Sequence, residues 1–260
     1  MSSIKRGTFF IACVLCVFMV ISAFIVYGSS GTEGYDLFFQ ANQDYKEGAY
    51  EKAATAYEEL IQDRVVGGAV YYNLGNCYFR MNRLGKAILN YERSRYLMPR
   101  DPDLDFNLRH SKEMTKDKIE ESSSFPLFQW IDYFSLAEVF WVFVILNILF
   151  WAVLLMRLWI NSEWGFYMVI CLGIVWVIIG VSSTMKWYRE THDKRAVIIT
   201  PQMDVHSGPD ERETVLFKLH EGAMVMHERE EEDWALIFLS SEKRGWAKAG
   251  SVERIIICGE

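Results

Sequence analysis

The sequence predicts a multi-domain membrane protein that combines α-helical repeats, a hairpin of two transmembrane helices and a small all-β barrel. Three observations predict this class. A 34-residue periodicity occupies the first half of the chain, two apolar runs follow it, and short β-branched runs separated by turns complete the chain. Because these segments differ so strongly, the averages of 51% hydrophobic residues and a mean hydropathy of +0.05 describe none of them.

The N-terminal segment, residues 1–30, carries Lys5 and Arg6 and then an apolar run over residues 8–27. A basic start followed by an apolar run is typical of a secretory signal peptide or of an uncleaved membrane anchor. The small residues after the run fit a peptidase site, while the length of the run fits an anchor. Both alternatives stay open.

A repeat follows this segment. Residues 35–61 align with residues 69–95 at an offset of 34 residues, which is the period of helix-turn-helix repeats. Small residues on the two sides of each unit are expected where its helices cross closely, and Gly48 separates the helices of the first unit. The aligned pairs are Ala41/Gly75, Asn42/Asn76, Tyr45/Phe79, Tyr50/Leu84, Ala53/Ala87 and Tyr57/Tyr91.

The second unit resembles the tetratricopeptide repeat consensus. The matching residues are Leu74, Gly75, Tyr78, Ala87, Tyr91 and Pro99. We therefore predict a tetratricopeptide repeat domain over residues 31–121, with units at 34–67 and 68–101. Because two units alone are marginally stable, we expect a capping helix over residues 102–120, which Asp101 begins.

Repeats of this kind bind peptides in a groove lined by the first helix of each unit. Here the groove would carry asparagine amides beside two cations, a combination that suits an extended backbone or a carboxylate. The predicted partner-binding residues are Asn42, Lys46, Tyr72, Asn73, Asn76 and Arg80. We expect the three amides to be free for a partner. The alternative is that the aromatic residues pack in the core and the asparagines bond local backbone.

After a linker at residues 122–138, two transmembrane helices are predicted at 139–159 and 164–185. At about 1.5 Å per residue, each is long enough for a hydrocarbon core roughly 30 Å thick. Four residues separate the two runs. This spacing predicts a hairpin whose outer ends lie on the same side of the membrane.

Two signals for orientation disagree. Lys5 and Arg6 place the N-terminus in the cytoplasm, which puts both soluble domains on the opposite, periplasmic side. Four basic residues that follow the second run favour the reverse, namely Lys186, Arg189, Lys194 and Arg195. We give precedence to the N-terminal segment because the first element usually sets the orientation.

The last segment, residues 195–260, consists of short β-branched runs and turns, which predict a small all-β barrel. The order of its motifs resembles that of bacterial SH3 domains. The motifs are Ala196, Val205-His206-Ser207-Gly208-Pro209, Leu219-His220-Glu221-Gly222, Val225, Trp234 and Gly245-Trp246. The resemblance implies a domain that binds cell-wall peptides or protein segments. Trp234 and Trp246 are its candidate ligand surface, and the alternative is that both rings pack in the core.

Several function classes are excluded. A net charge of −7 gives no basic surface for nucleic acid. Cys13, Cys16 and Cys171 lie in apolar runs, so the five cysteines form no disulfide framework. The sequence has no G-x-S-x-G, no H-E-x-x-H and no phosphate-binding glycine loop, and its histidines follow no ligand spacing. We therefore expect a protein that is not an enzyme, without metal or cofactor.

The order of the parts resembles the Bacteroides aerotolerance (Bat) proteins over nearly the whole chain. That resemblance implies a complex with von Willebrand A-domain membrane proteins and a MoxR-type ATPase, linked to oxygen or envelope-stress tolerance. We therefore expect a scaffold in the bacterial inner membrane that gathers protein partners. The alternative is a cell-wall-sensing receptor whose SH3-like domain binds peptidoglycan. A transporter is disfavoured because two spans with one asparagine supply little of a pathway.

Overall fold

The computed structural model describes six stretches of the chain, residues 33–65, 67–117, 129–157, 159, 163–239 and 243–256. The predicted signal or anchor segment, 1–30, lies outside the described residues, as does residue range 118–128 of the predicted cap and linker. The chain divides into two compact units. One includes Phe134–Tyr188, and the other joins Gly31–Tyr133 to Arg189–Glu260.

Five helices form the repeats. They are α1 Glu33–Lys46, α2 Tyr50–Gln62, α3 Gly68–Arg80, α4 Leu84–Leu97 and α5 Pro102–Glu113. The helices α1, α3 and α5 are the first helices of successive units, and α2 and α4 are second helices. The turns inside the two complete units match, because Gly48 and Asn82, 34 residues apart, have φ of 84° and 58°. Glycine and asparagine are the residues that enter this left-handed region most readily.

Small residues lie where the two helices of a unit cross. Ala41, Ala53 and Ala87 are fully buried. A Cβ atom placed on Gly75 would lie 2.6 Å from the ring of Tyr91 and 3.3 Å from the carbonyl oxygen of Ala87. The close crossing expected from the 34-residue alignment is therefore present in the second unit.

The helix α5 begins as expected and ends early. The Asp101 carboxylate accepts a hydrogen bond from the backbone N–H of Leu104 at 2.9 Å, with proline at the first helical position. The predicted cap extends to residue 120, whereas α5 ends at Glu113. Beyond it, the Thr115 hydroxyl donates to the last turn of the helix, and Asp117 accepts the backbone N–H of His220 at 2.6 Å. The segment after α5 is therefore bonded to the sheet.

Seven strands form one antiparallel sheet. They are β1 Arg195–Ile198, β2 Gln202–His206, β3 Val215–His220, β4 Met224–Glu231, β5 Trp234–Phe238, β6 Arg244–Lys248 and β7 Val252–Arg254. Their order is β3-β2-β6-β5-β4-β1-β7. The predicted barrel is not closed, since β3 and β7 are the outer strands and do not pair with each other. The described part of β7 has three residues, and all three pair with β1.

The strand β1 joins the sheet to the repeats. Ala196 and Ile198 lie in the core of the sheet, whereas Val197 lies in the core of the repeats. Successive residues of a strand point to opposite faces, so β1 is buried on both sides. The helix α4 packs directly against it. The repeats and the sheet, predicted as separate domains, therefore share a core.

Three helices lie between the repeats and the sheet in the chain. They are α6 Gln129–Asp132, α7 Leu136–Arg157 and α8 Glu163–Thr191. The helices α7 and α8 are long and apolar enough to cross a membrane. The indole of Trp176 stacks between Phe143 and Phe150, with ring centres 5.7 and 5.8 Å away. This aromatic stack packs α7 against α8.

The replacement Ala87→Phe is expected to destabilise the repeats by about 1–3 kcal/mol, because the added ring overpacks a crossing that has no free space. Thermal unfolding of the full chain, followed by circular dichroism, measures the loss. The replacement Thr55→Phe, at an exposed position of α2, is the matched control. An unchanged melting temperature in Ala87→Phe contradicts the assignment of this crossing.

Candidate partner-binding site

Two sets of side-chain hydrogen bonds, one centred on Asn42 and one on Asn76, connect the first helices of the repeats. We call each set a rung. In the first rung, the side-chain oxygen of Asn42 accepts the Tyr57 hydroxyl at 2.8 Å and the amide of Asn73 at 2.9 Å. The Tyr57 ring also contacts Phe38 edge-on, with ring centres 6.0 Å apart. One carbonyl group of α1 is therefore bonded both to α2, in its own unit, and to α3, in the next.

The second rung repeats the first, with every member 34 residues further along. The oxygen of Asn76 accepts the Tyr91 hydroxyl at 2.7 Å and the amide of Asn107 at 3.2 Å. The amide of Asn107 also donates to the Tyr72 hydroxyl at 3.0 Å. This periodicity makes α5 the first helix of a third unit. Asn107 was not among the predicted binding residues, although it lies one repeat period after Asn73.

The expectation that the asparagine amides are free for a partner is wrong for the groups that form the rungs. Tyr57 and Tyr91 are fully buried, and burial raises the pKa of both hydroxyls far above the usual value. Each hydroxyl therefore stays protonated and needs an acceptor, because a buried donor without one costs about 1–3 kcal/mol. Asn42 and Asn76 supply those acceptors.

The predicted binding residues do gather on one surface. We call it the first-helix face, the side of α1, α3 and α5 that carries Asn42, Lys46, Tyr72, Asn73, Asn76, Arg80 and Asn107. Lys46 and Arg80 are exposed in the last turns of α1 and α3. A hydrogen bond from Arg80 to Tyr45, on the neighbouring helix, raises the pKa of the arginine. The asparagines and Tyr72 are half-buried, so a ligand can still reach their edges.

The two tryptophans of the predicted SH3-like ligand surface have no exposed ring. Trp234 is 7% exposed and Trp246 is 8% exposed. The Lys248 ammonium lies 4.3 Å from the centre of the Trp234 ring, and the Arg229 guanidinium lies 5.4 Å from that of Trp246. Cations cover both rings. This geometry corresponds to the packing alternative.

A buried ion cluster, which the sequence analysis missed, centres on Glu92 of α4. Its side chain is completely buried and lies 2.7 Å from Arg95, 2.6 Å from Lys112 and 3.6 Å from Arg195. Burial alone would raise the pKa of Glu92, but the three cations outweigh it and hold the pKa below its usual value. The carboxylate thus connects α4, α5 and β1.

Further bonds extend this cluster into the sheet. The Arg195 guanidinium donates to the Tyr96 hydroxyl at 2.8 Å and pairs with Asp193 at 2.8 Å. Tyr96 in turn donates to Asp193. On the same side of α4, Arg93 donates to the backbone oxygen of Arg254 in β7 at 2.9 Å. The repeats and the sheet are therefore joined by polar contacts around their shared apolar core.

Comparison with known protein families identifies a repeat in the central helices α3 and α4. Residues 68–101 match the tetratricopeptide repeat. The tetratricopeptide prediction is thus confirmed for α3, α4 and the turn before α5, and the rungs extend the same periodicity to the helices on either side. No curated protein matches the chain. The repeat indicates interaction with other proteins as its general role.

The contribution of Glu92 to stability is expected to disappear in acid. A carboxylate whose pKa is lowered by folding stabilises the fold above its ordinary value of 4.5, and this stabilisation is lost as the pH falls through the lower folded-state pKa. At neutral pH the Glu92→Gln variant should be less stable by about 1.5–3 kcal/mol, the usual contribution of charged hydrogen bonds.

Denaturant unfolding of both proteins between neutral and acid pH measures this difference, which should shrink below pH 4.5. The variant Glu113→Gln, at an exposed position of α5, is the control and should follow the wild type throughout. A difference that stays constant across the pH range contradicts the ionised state of Glu92.

Proposed function

We propose that this chain is a membrane-anchored, non-enzymatic scaffold that binds protein partners through its tetratricopeptide repeats. The observation that carries the proposal is the first-helix face, where three helices held at fixed spacing present half-buried amides and two exposed cations. Repeats of this architecture use such surfaces to hold extended protein segments. The rungs supply preorganisation, which lowers the entropic cost of binding.

The charges of this face favour one kind of segment. Lys46 and Arg80 occupy equivalent positions of the two complete units, 34 residues apart, and both are exposed. Two cations at one repeat spacing suit a segment that carries carboxylates. The asparagine and tyrosine edges beside them suit the backbone of the same segment.

The remaining parts define where this scaffold works. In the proposal, α7 and α8 anchor the chain in the bacterial inner membrane, with the repeats and the sheet on the periplasmic side. The sheet is an SH3-like module. Its support is the order of motifs from Ala196 to Gly245-Trp246 along the six consecutive strands β1 to β6.

We further propose that the scaffold belongs to a Bat-type aerotolerance or envelope-stress complex. Its partners would be von Willebrand A-domain membrane proteins and a MoxR-type ATPase system, without nucleic acid or cofactor. The support is the order of parts, in which repeats precede two long apolar helices and a small antiparallel sheet follows them. The alternative of a peptidoglycan receptor has less support, because Trp234 and Trp246 are covered by cations.

The double replacement Lys46→Glu and Arg80→Glu is expected to reduce recovery of membrane partners by tenfold or more, roughly 1.4 kcal/mol, while the melting temperature stays close to that of the wild type. The measurement is crosslinked co-purification from membranes with quantitative mass spectrometry. The matched control is Arg109→Glu with Arg212→Glu, which makes the same change in charge at exposed positions outside this face. Equal recovery with both double variants contradicts a role of the first-helix face in partner binding.

The proposed topology gives a second test. Reporter fusions at Ser123 and after Glu260 should both be active on the periplasmic side, because a hairpin returns the chain to the side it left. Alkaline phosphatase and green fluorescent protein fusions read the two compartments. Opposite readings for the two positions contradict the hairpin, and two cytoplasmic readings contradict the orientation.

A further inference from the structure

One stripe of α4 faces the sheet. It consists of Gly85, Ile88, Glu92 and Tyr96, spaced three or four residues apart. At its beginning, the backbone N–H of Gly85 donates to the Glu221 carboxylate at 2.9 Å. A Cβ atom on Gly222, in the same turn of the sheet, would lie 3.0 Å from the end of Ile88. At its other end, Glu92 and Tyr96 contact Arg195.

The repeat period explains what this stripe is for. In α2, the residue equivalent to Glu92 is Glu58, which accepts a hydrogen bond from Tyr78 of the next first helix. In α4, Glu92 pairs with Lys112 of α5, and Lys112 lies 34 residues after Tyr78. The contact between units is thus repeated. In α4, however, the carboxylate also contacts β1 through Arg195, where an uninterrupted array would place a further second helix.

The helix α5 is built as an end. Two positions of α3, Tyr71 and Gly75, are buried, and Gly75 lies against Tyr91 of the second helix. Their equivalents in α5 are Asp105 and Arg109, which are exposed and pair with each other at 3.4 Å. A charged surface at these positions does not accept another helix, and polar outer faces are typical of terminal repeats.

We infer that the sheet is the C-terminal cap of the repeat array and that its docking on α4 holds α5 in place. The sheet contacts the segment that follows α5, through His220 and Asp117, and it reaches α5 itself through the carboxylate of Glu92, which pairs with both Lys112 and Arg195. Asn107 of the second rung lies on α5, so the geometry of the first-helix face depends on a segment about a hundred residues further along the chain. This inference stands apart from the identity of any partner.

Hydrogen exchange of the full-length chain tests the cap. The first variant is Gly85→Ala, whose added methyl group would collide with the backbone oxygen of Ile198. Replacing a helical glycine by alanine ordinarily stabilises the helix and would slow amide exchange. Faster exchange is therefore expected only if the sheet is displaced. With the sheet docked, the variant should show amide exchange in α5 about tenfold faster than the wild type. Exchange that is unchanged or slower overturns the inference.

The second variant approaches the interface from the other side. Arg195 lies in β1 and contacts Glu92, Asp193 and Tyr96. The replacement Arg195→Gln should also accelerate exchange in α5 by about tenfold. The control Arg212→Gln, at an exposed arginine in the turn between β2 and β3, should not. Faster exchange restricted to the sheet in Arg195→Gln, with α5 still protected, means that the sheet does not hold the array and overturns the cap.

Discussion

The buried carboxylate of Glu92 is the interaction on which the arrangement of repeats and sheet depends. A charge without exposure to water is tolerated only when opposite charges and hydrogen bonds compensate for its lost hydration. Its three cations come from α4, α5 and β1. If any of these elements moved away, the Glu92 carboxylate would lose a cation or become exposed to water. The cluster therefore makes the position of each element depend on the others. The apolar contact of Val197 with the repeat core supplies the burial that gives the cluster this strength.

The asparagine rungs apply the same physics within the array. A buried tyrosine hydroxyl accepts only one register of the neighbouring helices, because a shift by one helical turn removes its acceptor. The small residues at Ala41, Gly75, Ala53 and Ala87 allow the helices to approach, but they do not select a register by themselves. Packing therefore sets the distance between helices, and the rungs set their alignment. This division explains why asparagines on the proposed binding surface are also structural.

Sequence patterns predicted the features that repeat or that lie close together in the chain. The crossings, the turn at Gly48 and the helix start at Asp101 all follow from local spacing. The cluster at Glu92 could not be predicted in this way, because Arg195 is 103 residues away in the sequence. A glutamate on a helix is also ordinarily exposed at the surface. The core that the repeats share with the sheet was missed for a related reason. The continuous apolar run at Ala196 to Ile198 indicates a strand buried on both faces, but a local pattern does not say which element covers the second face.

The shared core also constrains the segment between the repeats and the sheet. The chain leaves this unit after Tyr133 and returns to it at Arg189, and an ion pair of 2.5 Å between Asp132 and Arg189 ties the two points together. Both ends of the apolar segment Phe134–Tyr188 are therefore fixed on one folded unit. A folded body of this size cannot lie on two sides of a bilayer, so any crossing made between these points has to be made an even number of times. Two apolar helices satisfy this condition and one or three do not. For the membrane anchor that we propose, this condition requires a hairpin, independently of the length of the loop between the two helices.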